Sequence, residues 1–167
     1  MLKAMNNLKR QAGISLLELM LSLAIIAVVL TMATRFFNQV NVTQNLNNAV
    51  SMANGVVASL QTYRLNVKEP VPNPTLAVLY SAGQLPGDIA GPSHDGTKAN
   101  PWGGNIVLST EAGKQAFVEF TNVPYVQTGE GDAAKYSGTC EKLAARLSVT
   151  YPSAKCTGGT VHFDINE

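Results

Sequence analysis

The chain has 167 residues, of which 46% are hydrophobic and 14% are charged, and its formal net charge is +1. This length suits one domain, or one domain with an appendage, and it is sufficient for a hydrophobic core. The near-zero charge argues against electrostatic recognition of nucleic acid, and two cysteines are too few for a multi-disulfide scaffold. Because soluble domains usually contain about 25% charged residues, the low fraction indicates one strongly apolar stretch.

That stretch lies near the N-terminus, over residues 14–33, and its one charged residue is Glu18. A helix of this length, rising about 1.5 Å per residue, crosses the roughly 30 Å hydrocarbon core of a membrane. Three basic residues and no acidic residue precede it within residues 1–13, and Arg35 follows it. By the positive-inside rule, the basic end is predicted to stay in the cytoplasm, with the rest of the chain on the other side.

The order of the N-terminal segments differs from that of an ordinary secretory signal, in which a small-residue cleavage site follows the apolar core. Here the small residues Ala12 and Gly13 precede the apolar stretch. Cleavage after Gly13 would remove the basic leader and leave a new amino group on Ile14. Glu18 lies one helical turn away, where its carboxylate can offset that charge or the same charge on a neighbouring chain. Since an acid inside a membrane helix costs about 2.5–3.5 kcal/mol, Glu18 is predicted to be functional rather than tolerated in a plain anchor.

The string from Gly13 to Glu18, Gly-Ile-Ser-Leu-Leu-Glu after a short basic leader, resembles the cleavage motif of type IV prepilins. The resemblance implies that a prepilin peptidase cuts after Gly13 and methylates the new amino group of Ile14. It also implies that Glu18, the fifth residue of the mature chain, helps to place each subunit in a filament. An isoleucine as first mature residue is commoner in the type IVb branch and among minor subunits than in the type IVa branch.

The helical pattern continues beyond the apolar stretch, because no charge and no proline occurs between Arg35 and Arg64. Apolar residues recur there at steps of three and four, at Val42, Leu46, Ala49, Val50, Ala53, Val56, Val57, Leu60 and Tyr63. The other face carries Asn38, Asn41, Gln44, Asn45, Asn48, Ser51, Ser59 and Thr62. The pattern predicts one helix from residue 14 to about 67, ended by Pro70 and Pro72, whose second half is amphipathic. A free coiled coil is the alternative, and the lack of flanking charges disfavours it.

Shorter elements follow in the sequence. The predicted elements are a helix over 74–84, a loop over 85–105, a hairpin of strands over 106–109 and 115–121, a turn over 127–132, a helix over 139–148 and a strand over 160–166. This order predicts an α+β fold in which an antiparallel sheet packs on the amphipathic half of the long helix, as in pilins. The predicted segments are a cleaved leader at 1–13, a membrane or filament-core half of the helix at 14–36 and a globular domain at 37–167.

Two later features resemble the type IVb branch in particular. Residues 100–104, Asn-Pro-Trp-Gly-Gly, resemble a turn that precedes a strand in those pilins. The pair Val123-Pro124, together with the later Cys140-x-x-Leu143, also resembles that branch. These matches favour a type IVb subunit of the thin-pilus or bundle-forming kind.

Cys140 and Cys156 are the two cysteines, and both lie in the part predicted to be exported. An oxidising compartment favours one disulfide between them, which would stabilise the fold by about 3 kcal/mol in the entropic model. The resemblance implies that this disulfide bounds the variable C-terminal region of pilins. A metal pair is the alternative, but further ligands at suitable spacing are missing.

Few residues suggest catalysis or metal binding. His162 and Asp164 share one strand face, but neither they nor His94 are accompanied by a nucleophile motif, so no enzyme and no cofactor is predicted. Glu130 and Asp132 flank a glycine and could touch calcium, although a solvated turn is the simpler interpretation.

The sequence therefore predicts a type IV pilin precursor that acts by assembly. The partners implied by the resemblance are other copies of the chain in a helical filament, the prepilin peptidase, the assembly machinery in the inner membrane, the membrane before assembly and a host-surface or cell-surface receptor. Direct sequence-specific nucleic-acid binding is not expected. The precursor is predicted in the inner membrane with its C-terminal domain in the periplasm, and the mature subunit in an extracellular pilus for adhesion, aggregation or DNA transfer. The alternatives are a minor pilin or type II secretion pseudopilin, and a single-pass membrane-anchored periplasmic enzyme or binding domain.

Overall fold

The computed structural model describes residues 15–68, 73–109, 115–128 and 135–165. The helices are α1 (Leu16–Asn66), α2 (Leu76–Ser81), α3 (Gly87–Ala90) and α4 (Thr139–Leu147). The strands are β1 (Ile106–Ser109), β2 (Phe117–Phe120), β3 (Tyr125–Thr128), β4 (Lys135–Gly138), β5 (Lys155–Thr157) and β6 (Thr160–Asp164). An antiparallel sheet has the strand order β1-β2-β6-β5, and β3 and β4 form a second, two-stranded antiparallel sheet. The chain divides into two compact units, with the boundary between Val40 and Asn41.

In the first unit, the N-terminal half of α1 is exposed on all sides. Its large apolar side chains, from Leu16 to Phe37, are between 50% and 77% exposed. Among the described residues, α1 is the one helix that is long and apolar enough to cross a membrane, and its most apolar window has no buried residue. Leucine, alanine and methionine favour helix strongly, so this half is helical without support from packing.

In the second unit, the C-terminal half of α1 buries one face. The buried residues are Leu46, Ala49, Ala53, Val56, Val57, Ser59, Leu60 and Tyr63. The apolar members of this set share one core with the inward side chains of the larger sheet, Ile106, Leu108, Val118, Phe120, Val161 and Phe163. Burial alternates along these strands because successive residues face opposite sides of a sheet. The predicted α+β fold, a long helix packed with an antiparallel sheet, is confirmed, and the layout is consistent with the pilin fold.

Three details of the sequence prediction were wrong. Ser59, which the periodicity assigns to the polar face, is buried, because it lies three residues after Val56 and four before Tyr63 on the same side of α1. The predicted loop over 85–105 contains the short helix α3. The predicted turn over 127–132 overlaps β3, which pairs with β4, and neither β4 nor β5 was predicted. The predicted helix-ending Pro70 and Pro72 lie outside the described residues.

Two polar contacts attach the segment around α4 to α1. The Arg146 guanidinium donates to the side-chain oxygen of Asn47. The Tyr151 hydroxyl donates to the side-chain oxygen of Asn54 at 3.1 Å, and the Tyr151 ring stacks on Phe163 with centroids 4.5 Å apart. Burial raises the pKa of the Tyr151 phenol, because the phenolate would lose its hydration.

This raised pKa predicts a loss of stability at alkaline pH. The unfolded chain loses the phenol proton near pH 10, whereas the native chain keeps it to higher pH, so the free energy of unfolding falls as the pH rises above about 10. In Tyr151→Phe this contribution is absent, and denaturant titrations should show a shallower alkaline decline than in the parent chain. If the free energy of unfolding falls equally with pH in the two proteins, the buried Tyr151 phenol is not the cause of the alkaline decline.

Candidate assembly site

The first turn of α1 is capped by Ser15. The Glu18 amide donates to the Ser15 carbonyl oxygen at 3.0 Å and to the Ser15 hydroxyl at 3.2 Å. Ser-x-x-Glu at the start of a helix is the sequence signature of a capping box, in which the serine accepts the amide of the third helical residue. The sequence reasoning missed Ser15 as a site residue, although its spacing from Glu18 carries the signal.

Glu18 therefore lies in the first turn of α1, where it is exposed. A carboxylate at this position interacts favourably with the partial positive charge of the helix N-terminus. Its side chain forms no hydrogen bond or ion pair within the part of the chain that the structure describes. Gly13 and Ile14, the predicted cleavage and methylation residues, lie outside the described residues.

The Asn-Pro-Trp-Gly-Gly segment is fastened to the end of β2 by the buried side chain of Asn100. Its side-chain oxygen accepts the amides of Trp102 at 3.0 Å and Gly104 at 2.9 Å. Its side-chain nitrogen donates to the carbonyl oxygen of Thr121 at 2.6 Å. Because both the oxygen and the nitrogen of its side-chain amide are hydrogen-bonded, Asn100 holds the turn against the residue that follows β2.

Of the two other segments that resemble type IVb pilins, Val123-Pro124 lies within the connector of residues 121–124, and Cys140-x-x-Leu143 contacts this connector. The Cys140 amide donates to the Pro124 carbonyl oxygen at 3.0 Å, and Val123 donates to Gly159 at 2.9 Å. Leu143 is fully buried on the inner face of α4. The three segments thus meet at the link between β2 and β3, where they support the fold of the second unit.

The predicted disulfide is present in the structure. Cys140, in the first turn of α4, is joined to Cys156 of β5 with the sulfur atoms 2.01 Å apart. Cys140 is completely buried and Cys156 is partly buried. The bond connects α4 covalently to the edge strand of the larger sheet, and both described cysteines are used in it.

The two histidines lie in different surroundings. The His94 ring stacks on Tyr80 with centroids 4.0 Å apart. His162 lies on the outer face of the larger sheet, with Nδ1 3.1 Å from Glu119 and Nε2 3.3 Å from Asp164. The sequence predicted that Asp164 lies on the same strand face as His162. It did not predict Glu119, which lies beside His162 because β2 pairs with β6. Within the described residues, neither imidazole is hydrogen-bonded to a hydroxyl or thiol side chain.

The possible calcium ligands Glu130 and Asp132 lie outside the described residues. Within the described ranges, no group of three His, Cys, Asp or Glu side chains is arranged to hold a metal ion. Asp95 has a local role instead, since the Thr97 amide donates to its carboxylate at 2.9 Å. This hydrogen bond lowers the pKa of the Asp95 carboxyl below its ordinary value.

The comparisons with known proteins bear on the N-terminal segment. Residues 8–34 match the family described as the prokaryotic N-terminal methylation motif. The chain carries the type IV pilin signature. The motif implies processing by a prepilin peptidase and a structural protein of the pilin or pseudopilin-like class, anchored in the membrane as a precursor. No curated protein and no solved structure matches the chain.

Two adjacent glycines, Gly103 and Gly104, provide a matched test of the turn that Asn100 holds. A Cβ at Gly104 would lie 2.0 Å from the Thr121 carbonyl oxygen, whereas a Cβ at Gly103, whose φ is +74°, meets nothing within 4 Å. Gly104→Ala must therefore displace the end of β2, and we expect a loss of about 3 kcal/mol in the free energy of unfolding. Gly103→Ala should cost about 1 kcal/mol through backbone strain alone. Equal losses in urea titrations would show that the turn does not contact β2 as described.

Proposed function

We propose that the chain is the structural subunit of a type IV pilus, cut after Gly13, methylated at Ile14 and assembled through the N-terminal half of α1. The observation that carries this proposal is the match of residues 8–34 to the methylation motif over a helix whose apolar side chains are exposed. A continuous apolar surface of this size needs lipid or another protein to cover it. The membrane covers it in the precursor, and the same half of α1 in neighbouring copies covers it in the filament.

Glu18 directs the assembly step in this proposal. Packing of apolar helices removes its carboxylate from water, which is costly unless a positive charge accompanies it. The amino group that cleavage creates on Ile14 supplies that charge, and it comes from a neighbouring copy. The capping bond to Ser15 involves the Glu18 amide, so the carboxylate is left for the neighbour.

The remainder of the chain coats the filament in this account. We assign residues 1–13 to the cleaved leader, 14–36 to the membrane and filament-core half of the helix, and 37–167 to the globular domain. The precursor lies in the inner membrane with this domain in the periplasm, where the assembly machinery takes it up. The exposed domain then meets receptors or other filaments, which suits adhesion, aggregation or DNA transfer.

The methylation motif also occurs in minor pilins and type II secretion pseudopilins, which share the same processing. A major subunit is the principal protein of long surface filaments, whereas a minor pilin or pseudopilin is scarce in them. Electron microscopy of surface filaments, with and without the gene, combined with the protein composition of purified filaments distinguishes these roles.

Processing gives the first test. Mass spectrometry of chains from purified filaments or membranes should find mature chains that begin at Ile14 and carry one additional methyl group on the amino terminus. Deletion of the prepilin peptidase should restore a chain that keeps Lys9 and Arg10. Filaments whose subunits retain the basic leader would refute the cleavage step.

The charge of Glu18 gives the second test. Glu18→Gln keeps the size and hydrogen-bonding capacity of the side chain but removes the charge, so we expect the yield of filaments to fall at least tenfold while the precursor is still cleaved. Ser22→Ala is the matched control one turn further along, because its hydroxyl bonds within α1, to the Leu19 carbonyl oxygen. Normal filament yield in Glu18→Gln would show that the carboxylate does not pair during assembly.

A further inference from the structure

Arg35 is the one charged residue of the apolar half of α1 that the proposed assembly leaves without a role. From residue 15 to residue 63 the described chain has two charged side chains, Glu18 and Arg35. They are 17 positions apart, which is about 26 Å along a helix. This distance is close to the roughly 30 Å thickness of the hydrocarbon core of a membrane.

The Arg35 side chain is exposed and has no acceptor among the described residues. It lies along α1 beside Thr31 and Met32, which belong to the preceding turn. Within the described residues it forms no hydrogen bond and no ion pair. Its five N–H donors are therefore all available to an external acceptor.

The position of Arg35 in α1 limits what that acceptor can be. The large apolar side chains of this half end at Phe36 and Phe37, whose rings are 6.4 Å apart, and polar residues begin at Asn38. If Arg35 entered the hydrocarbon core without a partner, the cost would be about 2.5–3.5 kcal/mol. A membrane-inserted α1 is thus most stable when Arg35 reaches the layer of lipid head groups.

We propose that Arg35 binds the phosphate groups of phospholipids in the outward-facing leaflet and thereby sets the outer boundary of the membrane-spanning segment. The inference rests on the proposed membrane stage of the precursor. Phospholipid phosphates carry the opposite charge, and their oxygens match the planar fork of a guanidinium in a bidentate contact. The binding partner of the Arg35 guanidinium is therefore a lipid head group.

This contact becomes more important once the leader is removed. Cleavage takes Lys3, Lys9 and Arg10 from the inner side of the membrane, whereas Arg35 remains on the outer side. In the mature chain, Arg35 is then the basic side chain that holds α1 to the bilayer. Leaving the membrane during assembly requires this contact to break.

The depth of position 37 in a bilayer tests the proposal. The full chain carries Phe37→Trp as a fluorescent reporter and Trp102→Phe to remove the native tryptophan, and it is placed in nanodiscs of phosphatidylcholine and phosphatidylglycerol. Bromine atoms are introduced either near the head groups or near the ends of the acyl chains. We expect the reporter to be quenched mainly by the bromines near the head groups.

Three further substitutions are compared in this reporter chain. Arg35→Leu should let the helix move inward, so that the ratio of shallow to deep quenching falls at least twofold. Arg35→Lys, which keeps the cation, and Thr34→Leu, which adds an apolar side chain next to it, should retain the parent ratio. An unchanged ratio in Arg35→Leu would overturn the role of Arg35 and leave the membrane stage intact. Absence of quenching by both lipids would overturn both.

Discussion

A single helix has to satisfy two different environments, and the rest of the structure depends on how it does so. The N-terminal half of α1 has no protein neighbour in the described residues and offers apolar side chains on every side. The C-terminal half offers them on one side, which the core covers. The change from an all-round to a one-sided apolar pattern marks where the folded second unit begins. No glycine or proline interrupts the backbone between Leu16 and Asn54, so the helix is continuous across the change.

Within the second unit, the connector of residues 121–124 plays a comparable organising part. The carbonyl oxygen of Thr121 accepts a hydrogen bond from the Asn100 side chain, and the Val123 amide donates to the Gly159 carbonyl oxygen in the turn before β6. The Pro124 carbonyl oxygen accepts the amide of Cys140, the disulfide-bonded residue in the first turn of α4. Each contact is one hydrogen bond, worth about 1 kcal/mol alone. Together they join segments that are distant in sequence, and the disulfide closes the same region covalently.

The elements that the sequence predicts well are those with a strong period. The stripe from Leu46 to Tyr63 follows the helical period, and Val161 and Phe163 follow the strand period, so both their structure and their buried face were predicted. β3 and β5 were not predicted, because all residues of β3 are exposed and β5 has three residues, so neither shows a buried face. These segments form strands because they pair with β4 and β6, and such pairing cannot be predicted from the local sequence pattern.

The candidate site was predictable to a similar degree. The disulfide follows from residue type and context, whereas the Glu119 neighbour of His162 depends on strand register. The assembly role of Glu18 stays a prediction. Ser15 was readable from its spacing to Glu18. Ser59 was wrongly assigned to the polar face of α1. Serine is usually exposed, but its side chain is small enough to fit on a buried helix face, so the residue type alone did not predict its burial.

Helix α4, which begins at the Cys140–Cys156 disulfide, separates the residues that hold the fold from those that can be substituted. α4 directs Cys140, Leu143, Ala144 and Leu147 inward, while Glu141, Lys142 and Ala145 face solvent. Substitutions at such exposed positions usually alter stability by no more than about 0.5 kcal/mol. The inward residues and the covalent closure hold the scaffold, so the outward residues of α4 can change without loss of the fold.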